Sequence, residues 1–288
     1  GGDENQVDLA LVTPVTGETT LAVNILDVSS DTAEFTVASY PDIIVWGETE
    51  SVAVRFDPTG DGVVSANIVI SHDGTNSPLT VPVTGTGTTD VSLTAYVYDA
   101  LGFEWDIMGN GGISDGTSDA YDGGHQISVD GEVFPWFSYG VADGREITIG
   151  PATLGSVEVT RQVYVPQDAA FARYIDLYEN TTAAAVTITI SMKTNLGSNG
   201  STTVLATSSG DTVVSAGDHW FVTDDSTDGY GGYDPVVVHV ISGVDGAVAA
   251  TTAAVGDPYS DNVTYDYELT LEPFEQATML QFAVQRYA

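Results

Sequence analysis

The 288-residue sequence contains no cysteine, which excludes disulfide bonds, thiolate metal ligands and cysteine nucleophiles. Basic residues are also scarce: six Lys and Arg stand against 41 Asp and Glu, for a formal net charge of −35, and Lys193 is the single lysine. Nucleic acids and anionic membranes are recognised through basic patches, so neither is an expected partner. The missing cysteine does not itself indicate a compartment, since many prokaryotic surface proteins lack it.

Long apolar runs are missing too, so neither a signal peptide nor a membrane span is expected. The chain starts Gly1-Gly2-Asp3-Glu4, without Met, which fits a processed protein. There is no Gly-x-Ser-x-Gly elbow and no glycine-rich phosphate loop. The four histidines do not fall at metal-ligand spacings; they are His72, His125, His219 and His239. We therefore expect no catalytic residues and no enzyme activity, although a carboxylate pair acting on glycosides stays open.

The acidic charge has three explanations that the sequence leaves open. A solvated acidic surface suits high salt, where self-repulsion is screened, and would indicate a halophilic or marine habitat. Clustered carboxylates can bind calcium. The balance is also ordinary for an extracellular protein. Our overall expectation is a secreted or cell-surface location.

The composition favours strands and turns. Hydrophobic residues make up 42% of the chain and charged residues 16%, so a packed core rather than disorder is expected. Apolar residues alternate along 51–87, with turn sequences at 57–62 and 73–76 between three predicted strands. We predict an all-β protein with an Ig-like β-sandwich at 1–87 and a larger antiparallel β-sandwich at 90–288. A Gly/Thr hinge is predicted at 85–89.

The first domain resembles the Ig-like repeat of large surface proteins, of the choice-of-anchor D or ASH-like type, over about residues 7–87. The matching residues are Ala33-Glu34-Phe35, Ile43, Gly47, Val54-Arg55-Phe56, Asp57-Pro58-Thr59-Gly60, Ser65-Ala66 and Gly85-Thr86-Gly87. One departure is Trp46-Gly47, where the family has Pro-Gly. The resemblance implies a sandwich fold and says little about function.

The resemblance also implies one more strand ahead of the predicted strand 7–12. Either the domain does without that strand, or another copy supplies it by β-addition, which would build filaments. A complementary arrangement has the segment itself leave to fill a neighbour. In these cases Val7, Leu9 and Leu11 would lie at the interface between copies.

The second domain carries strand patterns throughout. The stretch 169–178 fits both helical spacing and alternation, and we assign it to a strand because Pro166 precedes it. The segments 157–166, 171–180 and 186–190, with the ending 269–284, resemble the supersandwich-type β domains of large secreted proteins. Glycine is usual in that family where Phe274 stands.

An acidic loop in the second domain is the predicted metal site. Asp106, Asn110 and Gly111 fall at EF-hand-like positions, while Met108 and Thr117 depart from that pattern. A different oxygen cage, or a plain acidic surface loop, stays open. The candidate Ca²⁺ ligands are Asp106, Asn110, Asp115, Asp119 and Asp122. A second candidate cluster is Asp224, Asp225, Asp228 and Asp234.

Aromatic residues and sequons complete the candidates. The aromatics either plug the sandwich core or contact sugars and proteins; they are Trp105, Phe134, Trp136, Phe137, Tyr139, Tyr230 and Tyr233. Asn-x-Ser/Thr sequons predict glycosylation at Asn180, Asn199 and Asn262.

Together these features predict a non-catalytic extracellular structural protein. It would be a homopolymer subunit of a cell-surface filament, sheath or layer, joined by donor-strand addition. The alternative is a calcium-dependent adhesin that binds cell-surface glycans.

Overall fold

The structure is a computed structural model, and it describes residues 22–45, 47–60, 62–198, 200–225, 235–256 and 261–287. Over these residues the chain forms β-strands and turns without an α-helix, which confirms the all-β prediction. The chain divides into two compact units between Thr89 and Asp90. The predicted interface residues Val7, Leu9 and Leu11 lie outside the described residues.

The first unit contains six described strands, and they form two sheets. They are β1 (Ala22–Ser30), β2 (Phe35–Ser39), β3 (Ile43–Val45), β4 (Ala53–Phe56), β5 (Gly62–His72) and β6 (Leu79–Gly87). One sheet has the order β3-β1-β5-β6, and the other is the β2–β4 pair. The core between them contains the alternating residues Ala66, Ile68 and Ile70 of β5, as the sequence pattern predicts.

The outer edge of β6 is blunted by Pro82. Asn67, the partner of Pro82 on β5, turns its backbone N–H and C=O toward Asp31, on the β1 side. Because backbone groups alternate sides along an antiparallel strand, those of Pro82 point away from β5. Pro82 has no N–H to offer an added strand, a common protection of sheet edges.

The two units divide at the end of the predicted Gly/Thr stretch 85–89, but Gly85 and Gly87 lie inside β6 and pair with Val64 and Gly62. A Cβ on Gly85 would come within 2.7 Å of the Phe56 ring. A Cβ on Gly87 would come within 2.0 Å of the Gly60 carbonyl oxygen. These glycines therefore allow close packing between β6 and the neighbouring chain, and they are not there to supply flexibility.

The second unit is built from the remaining sixteen described strands. They are β7 (Thr89–Ser92), β8 (Ala95–Tyr98), β9 (Glu104–Ile107), β10 (Gln126–Val129), β11 (Glu132–Val133), β12 (Tyr139–Asp143), β13 (Glu146–Leu154), β14 (Val157–Tyr164), β15 (Ala172–Asn180), β16 (Val186–Asn195), β17 (Thr202–Thr207), β18 (Trp220–Asp225), β19 (Val236–Val240), β20 (Ala250–Val255), β21 (Asn262–Leu271) and β22 (Gln276–Arg286).

These strands form a large sheet, a smaller sheet and a short hairpin. The large sheet has the order β17-β18-β19-β22-β15-β14-β13-β12-β7, and the smaller one β11-β10-β16-β21-β20. The hairpin is β8–β9. Alternate residues of β14, β15, β16 and β21 are buried toward one shared core, apart from the half-buried Val186 and Leu269, as period-2 alternation predicts for facing sheets.

The stretch 169–178 forms a strand from Ala172 onward, as its alternating pattern predicts, and not the helix that its spacing also allowed. It enters β15, whose buried residues alternate with half-buried ones and, near the end of the strand, with the exposed Glu179. β15 pairs with β14 on one side and β22 on the other, at the centre of the large sheet. The strand prediction is confirmed there.

Candidate functional site

The acidic loop of residues 108–125 is anchored by Asp106, at the end of β9. Asp106 is buried, and its carboxylate accepts hydrogen bonds from the backbone N–H groups of Asp115 and Gly116, both at 2.9 Å. Its backbone carbonyl also accepts from the N–H of Ser114. Asp106 therefore holds the loop against its own strand. Its buried carboxylate is satisfied by the backbone N–H donors of that loop.

Arg161 of β14 anchors the same loop from the core. Its side chain is 0% exposed, and Nε donates to Asp176 Oδ1 on the paired strand β15 at 2.8 Å. Nη1 donates to the carbonyl oxygens of Asn110 and His125 at 3.0 and 2.9 Å. Gly111 is needed beside it, since its φ is +74° and a Cβ would come within 3.1 Å of Arg161. The Arg161–Asp176 pair thus ties the loop to the centre of the large sheet.

The loop brings three carboxylates together at the surface. One oxygen each of Asp115, Asp119 and Asp122 lies within 4.8 Å of the other two, and all three side chains are exposed. Partial burial, followed by repulsion from Asp122 and Asp115, raises the pKa of Asp119 above its ordinary value. Three carboxylates this close would supply three of the six to eight oxygen ligands that Ca²⁺ takes.

Part of the second acidic candidate lies beside this triad. Asp224 and Asp225, at the end of β18, line a water-sized hollow of about 20 Å³ together with Asp119. The sequence separates these groups by more than 100 residues, so no spacing rule could have joined them. Asp228 and Asp234 lie outside the described residues.

Asp106 is not grouped with the three clustered carboxylates, and both Asp106 and Asn110 make hydrogen bonds within the loop, so their assignment as EF-hand-like ligands stays a prediction. Both carboxylate oxygens of Asp106 are taken by backbone N–H groups. Asn110 Oδ1 accepts from the N–H of Gly112 at 3.0 Å, and its carbonyl binds Arg161. Their oxygens stabilise the fold of the loop, and of the predicted set Asp115, Asp119 and Asp122 are the carboxylates that lie together.

Two of the four histidines are buried in the core of the second unit. The ring of His125 stacks on Tyr174 with centroids 4.2 Å apart, and His239 stacks on Phe221 at 4.5 Å. Burial lowers the pKa of His125 to about 3, with the Arg161 charge adding to the effect, and burial alone lowers the pKa of His239 to about 3. Both are therefore neutral core residues.

The predicted aromatic residues divide between core and surface. Trp105 and Phe134 are buried in the sandwich core, so for them the plugging interpretation is right. Trp136 and Tyr139 are 59% and 62% exposed, and the Trp136 ring lies against Gly109. Tyr230 and Tyr233 lie outside the described residues.

The sequon at Asn180 does not present a free side chain. Asn180 is 0% exposed at the end of β15. Its Nδ2, the atom that a glycan would modify, donates to the carbonyl oxygens of Ala184, Leu271 and Glu272. The glycosylation prediction is therefore wrong for Asn180, whose amide instead joins the ends of three segments. Asn262 is half-buried at the start of β21, and Asn199 lies outside the described residues.

A second feature of this unit is the outer edge of β8. Tyr96 and Tyr98 face Asp106 and Glu104 in the β8–β9 hairpin without ladder hydrogen bonds, because Asp99 and Phe103 form the bonded pair next to them. Their backbone groups therefore point away from β9. The Tyr98 carbonyl accepts from Arg145 Nη2, whereas the backbone of Tyr96 has no partner among the described residues.

A groove of about 480 Å³ runs beside this edge. It is lined by apolar residues of β7, β8, β12 and β13, including Val91, Ala95, Val97 and Ile147, with Arg145 also in its wall. Tyr96 and Tyr98 beside it are 65% and 53% exposed. No sequence pattern indicated this groove, because it lies between strands whose pairing is a tertiary property.

Comparison with known proteins does not assign the chain: no family model matches it, and no curated protein matches its sequence.

Over the residues that the structure describes, there is no helix of the length and apolarity needed to cross a membrane.

Proposed function

We propose that this protein is a non-catalytic structural subunit of an extracellular assembly, such as a cell-surface filament, sheath or layer. Copies join by β-strand addition, in which segment 7–12 of one copy adds to a sheet edge of the next. The Ig-like resemblance of the first unit to surface-protein repeats agrees with this location.

Unpaired strand edges are the observation that carries the proposal. Among the described residues, neither outer edge of the β2–β4 pair has a partner strand, although the facing sheet has four strands. Phe56 of β4 and Val37 of β2 are half-buried against the core beside these edges. In strand addition, an incoming strand forms hydrogen bonds with the free backbone groups of an open edge and covers the apolar side chains beside it.

The charge of the chain sets the conditions for assembly. Copies of net charge −35 repel one another, and the repulsion reaches across about 30 Å at 0.01 M salt but only about 3 Å at 1 M. Polymers should therefore form in high salt and weaken as salt is removed. Strand addition through apolar side chains would persist under these conditions, because screening does not weaken hydrophobic contacts.

A pair of neighbouring substitutions tests the proposal by sedimentation of the full chain in about 1 M salt. Leu9→Asp places a charge on the apolar face of the alternating segment and should abolish polymers. Ala10→Asp adds the same charge one residue away, on the opposite face, and should preserve them. Equal polymerisation of both variants, or a monomeric unmodified protein at all concentrations, would contradict the proposal.

A calcium-dependent adhesin is the second candidate, favoured by the triad of Asp115, Asp119 and Asp122 and by the exposed ring of Trp136. Exposed aromatic rings stack on sugars, and bound Ca²⁺ orients loops around a ligand. A glycan array probed with and without Ca²⁺ tests this function. Calcium-dependent glycan binding by monomers would favour it over the structural role.

A further inference from the structure

We propose that the outer edge of β8, with the groove beside it, is the acceptor site that receives the strand from a second copy of this chain. The incoming segment is 3–12, Asp-Glu-Asn-Gln-Val-Asp-Leu-Ala-Leu-Val. This inference rests on the proposed strand-addition function and assigns the site at which it happens.

The backbone of β8 presents the hydrogen-bonding groups that an added strand needs. The N–H and C=O of Tyr96 point outward and have no partner among the described residues. The neighbouring outward carbonyl, that of Tyr98, is already held by Arg145, which fixes the edge in an extended shape. An exposed edge of this kind accepts an extended peptide through main-chain hydrogen bonds.

The groove supplies the side-chain pocket that gives such additions their selectivity. At about 480 Å³ it is large enough for several aliphatic side chains, and five of its ten lining residues are aliphatic. Val7, Leu9 and Leu11 alternate along the incoming segment, so all three would face the groove while Asp8 and Ala10 faced outward beside the tyrosines.

Charge complementarity points to the same occupant. Arg145 donates to the carbonyl oxygens of Val165 and Tyr98 but forms no ion pair with a described carboxylate. Arg145 is one of four basic residues, out of the six in the chain, whose charge is not paired with a described carboxylate. The segment brings the carboxylate of Asp3, which shares the face of Val7, Leu9 and Leu11, to a groove whose wall holds this cation.

The first unit is the competing acceptor, and its two kinds of edge differ. The edge of β6 is protected by Pro82, whose backbone faces outward without an N–H. The β2–β4 edges stay open as well, so the choice between them and β8 rests on the groove and the Arg145 cation beside β8. The groove and its cation therefore favour β8.

Cysteine pairing between copies tests the site, since the chain has no cysteine of its own and every disulfide must join engineered positions. An Ala10→Cys variant is mixed in high salt with a Tyr96→Cys variant, and the disulfide-linked dimer is measured after mild oxidation. The matched partners are Thr36→Cys on β2 and Val63→Cys, an exposed position on β5. We expect linkage to Tyr96→Cys at least about tenfold above both controls, because disulfides need Cβ atoms within about 4.5 Å.

A second variant tests the edge without a crosslink. Tyr96→Pro removes the outward N–H while leaving the β8–β9 ladder intact, so it should fold and lower the polymerised fraction about tenfold or more. Tyr96→Ala keeps that N–H and should polymerise normally. Thermal unfolding of both variants checks that the second unit stays folded.

The outcomes separate the site from the function. Polymers that survive Tyr96→Pro, or that link through Thr36→Cys instead, would overturn the β8 acceptor and leave the strand-addition function standing. An unmodified protein that stays monomeric at every salt and protein concentration would overturn both.

Discussion

Phe274 has a backbone conformation that suits glycine. It lies in the turn between β21 and β22 with φ +61°, and its side chain is 68% exposed. The left-handed conformation costs a residue with a Cβ about 1–2 kcal/mol. Glycine avoids this cost, but it loses more backbone entropy on folding, which offsets part of the gain. This accounts for the glycine that the resembling family has at this position.

Phe274→Gly should therefore raise the free energy of unfolding by about 0.5–1 kcal/mol in chemical denaturation. Phe274→Ala is the control, since it removes the exposed ring but keeps the Cβ, and it should give no gain. A loss of stability in the glycine variant would show that the ring makes contacts that matter more than the strain.

His239 contributes to acid sensitivity. Its folded pKa of about 3 lies below the ordinary value of 6.5, so the unfolded chain binds a proton that the folded chain refuses. The contribution of His239 to the free energy of unfolding is complete above about pH 6.5. As the pH falls toward 3, this contribution decreases by about 1.4 kcal/mol for each pH unit.

The pH dependence of unfolding between pH 6 and 4.5 checks this account. His239→Gln should lower the slope by about 1.4 kcal/mol per pH unit, leaving the contribution of His125. Thr223→Val removes the 2.9 Å contact to His239 Nε2 but keeps the imidazole, so its slope should stay steep. Equal slopes in the unmodified protein and the His239→Gln variant would contradict the neutral buried state.

At the scale of elements, the loop 108–125 depends on the buried pair beneath it. Arg161→Met removes the hydrogen bonds to the Asn110 and His125 carbonyls and leaves Asp176 buried without its cation. Breaking a buried pair from one side costs about 3–5 kcal/mol, so thermal unfolding should shift strongly downward.

The double variant Arg161→Met with Asp176→Leu separates the two losses. It removes the orphaned charge, so it should recover most of the stability while the loop remains loosened. Hydrogen exchange of the loop amides would then be faster than in the unmodified protein. A double variant as unstable as the single one would mean that the loop contacts, and not the charge, dominate.

The effect of Asp119→Asn in the acidic triad on thermal stability should depend on whether calcium is present. Because partial burial and repulsion raise the pKa of Asp119, Asp119→Asn should raise the melting temperature slightly when no calcium is present, since solvent screens most of the repulsion at this exposed side chain. If the triad binds calcium, the ion should stabilise the unmodified protein and not the variant. The neighbouring substitution Asp130→Asn, outside the triad, is the control. A variant that still responds fully to Ca²⁺ would place any calcium site elsewhere.

The sequence predicts the strands better than the loops, and the reason is physical. Alternation along β5 and β15 reports directly which side chains face the core, so both were predicted. An acidic loop has no comparable signal: the role of Asp106 depends on backbone donors nine and ten residues ahead. The approach of Asp224 to Asp119 depends on the packing of β18, which no local pattern encodes. The prediction of flexibility at Gly85 and Gly87 failed for the same reason, because glycine occurs both in flexible segments and where backbones pack closely.

At the scale of the whole molecule, a strongly acidic chain forms sheets in which some edges are protected and others are open. Pro82 blunts the edge of β6, and β8 keeps its edge open beside an apolar groove. Protection at one edge and exposure at another is the pattern expected of a subunit that pairs with copies of itself in a defined direction. The charge would keep copies apart until salt or the cell surface screens it.

Negative-stain electron microscopy of the full chain in about 1 M salt, beside a variant lacking residues 1–12, tests the central claim most directly. The account predicts filaments or sheets from the full chain that resist dilution, and separate particles from the shortened one. Separate particles from both would contradict the structural role and favour the calcium-dependent adhesin. Polymers from both would contradict strand addition through segment 7–12.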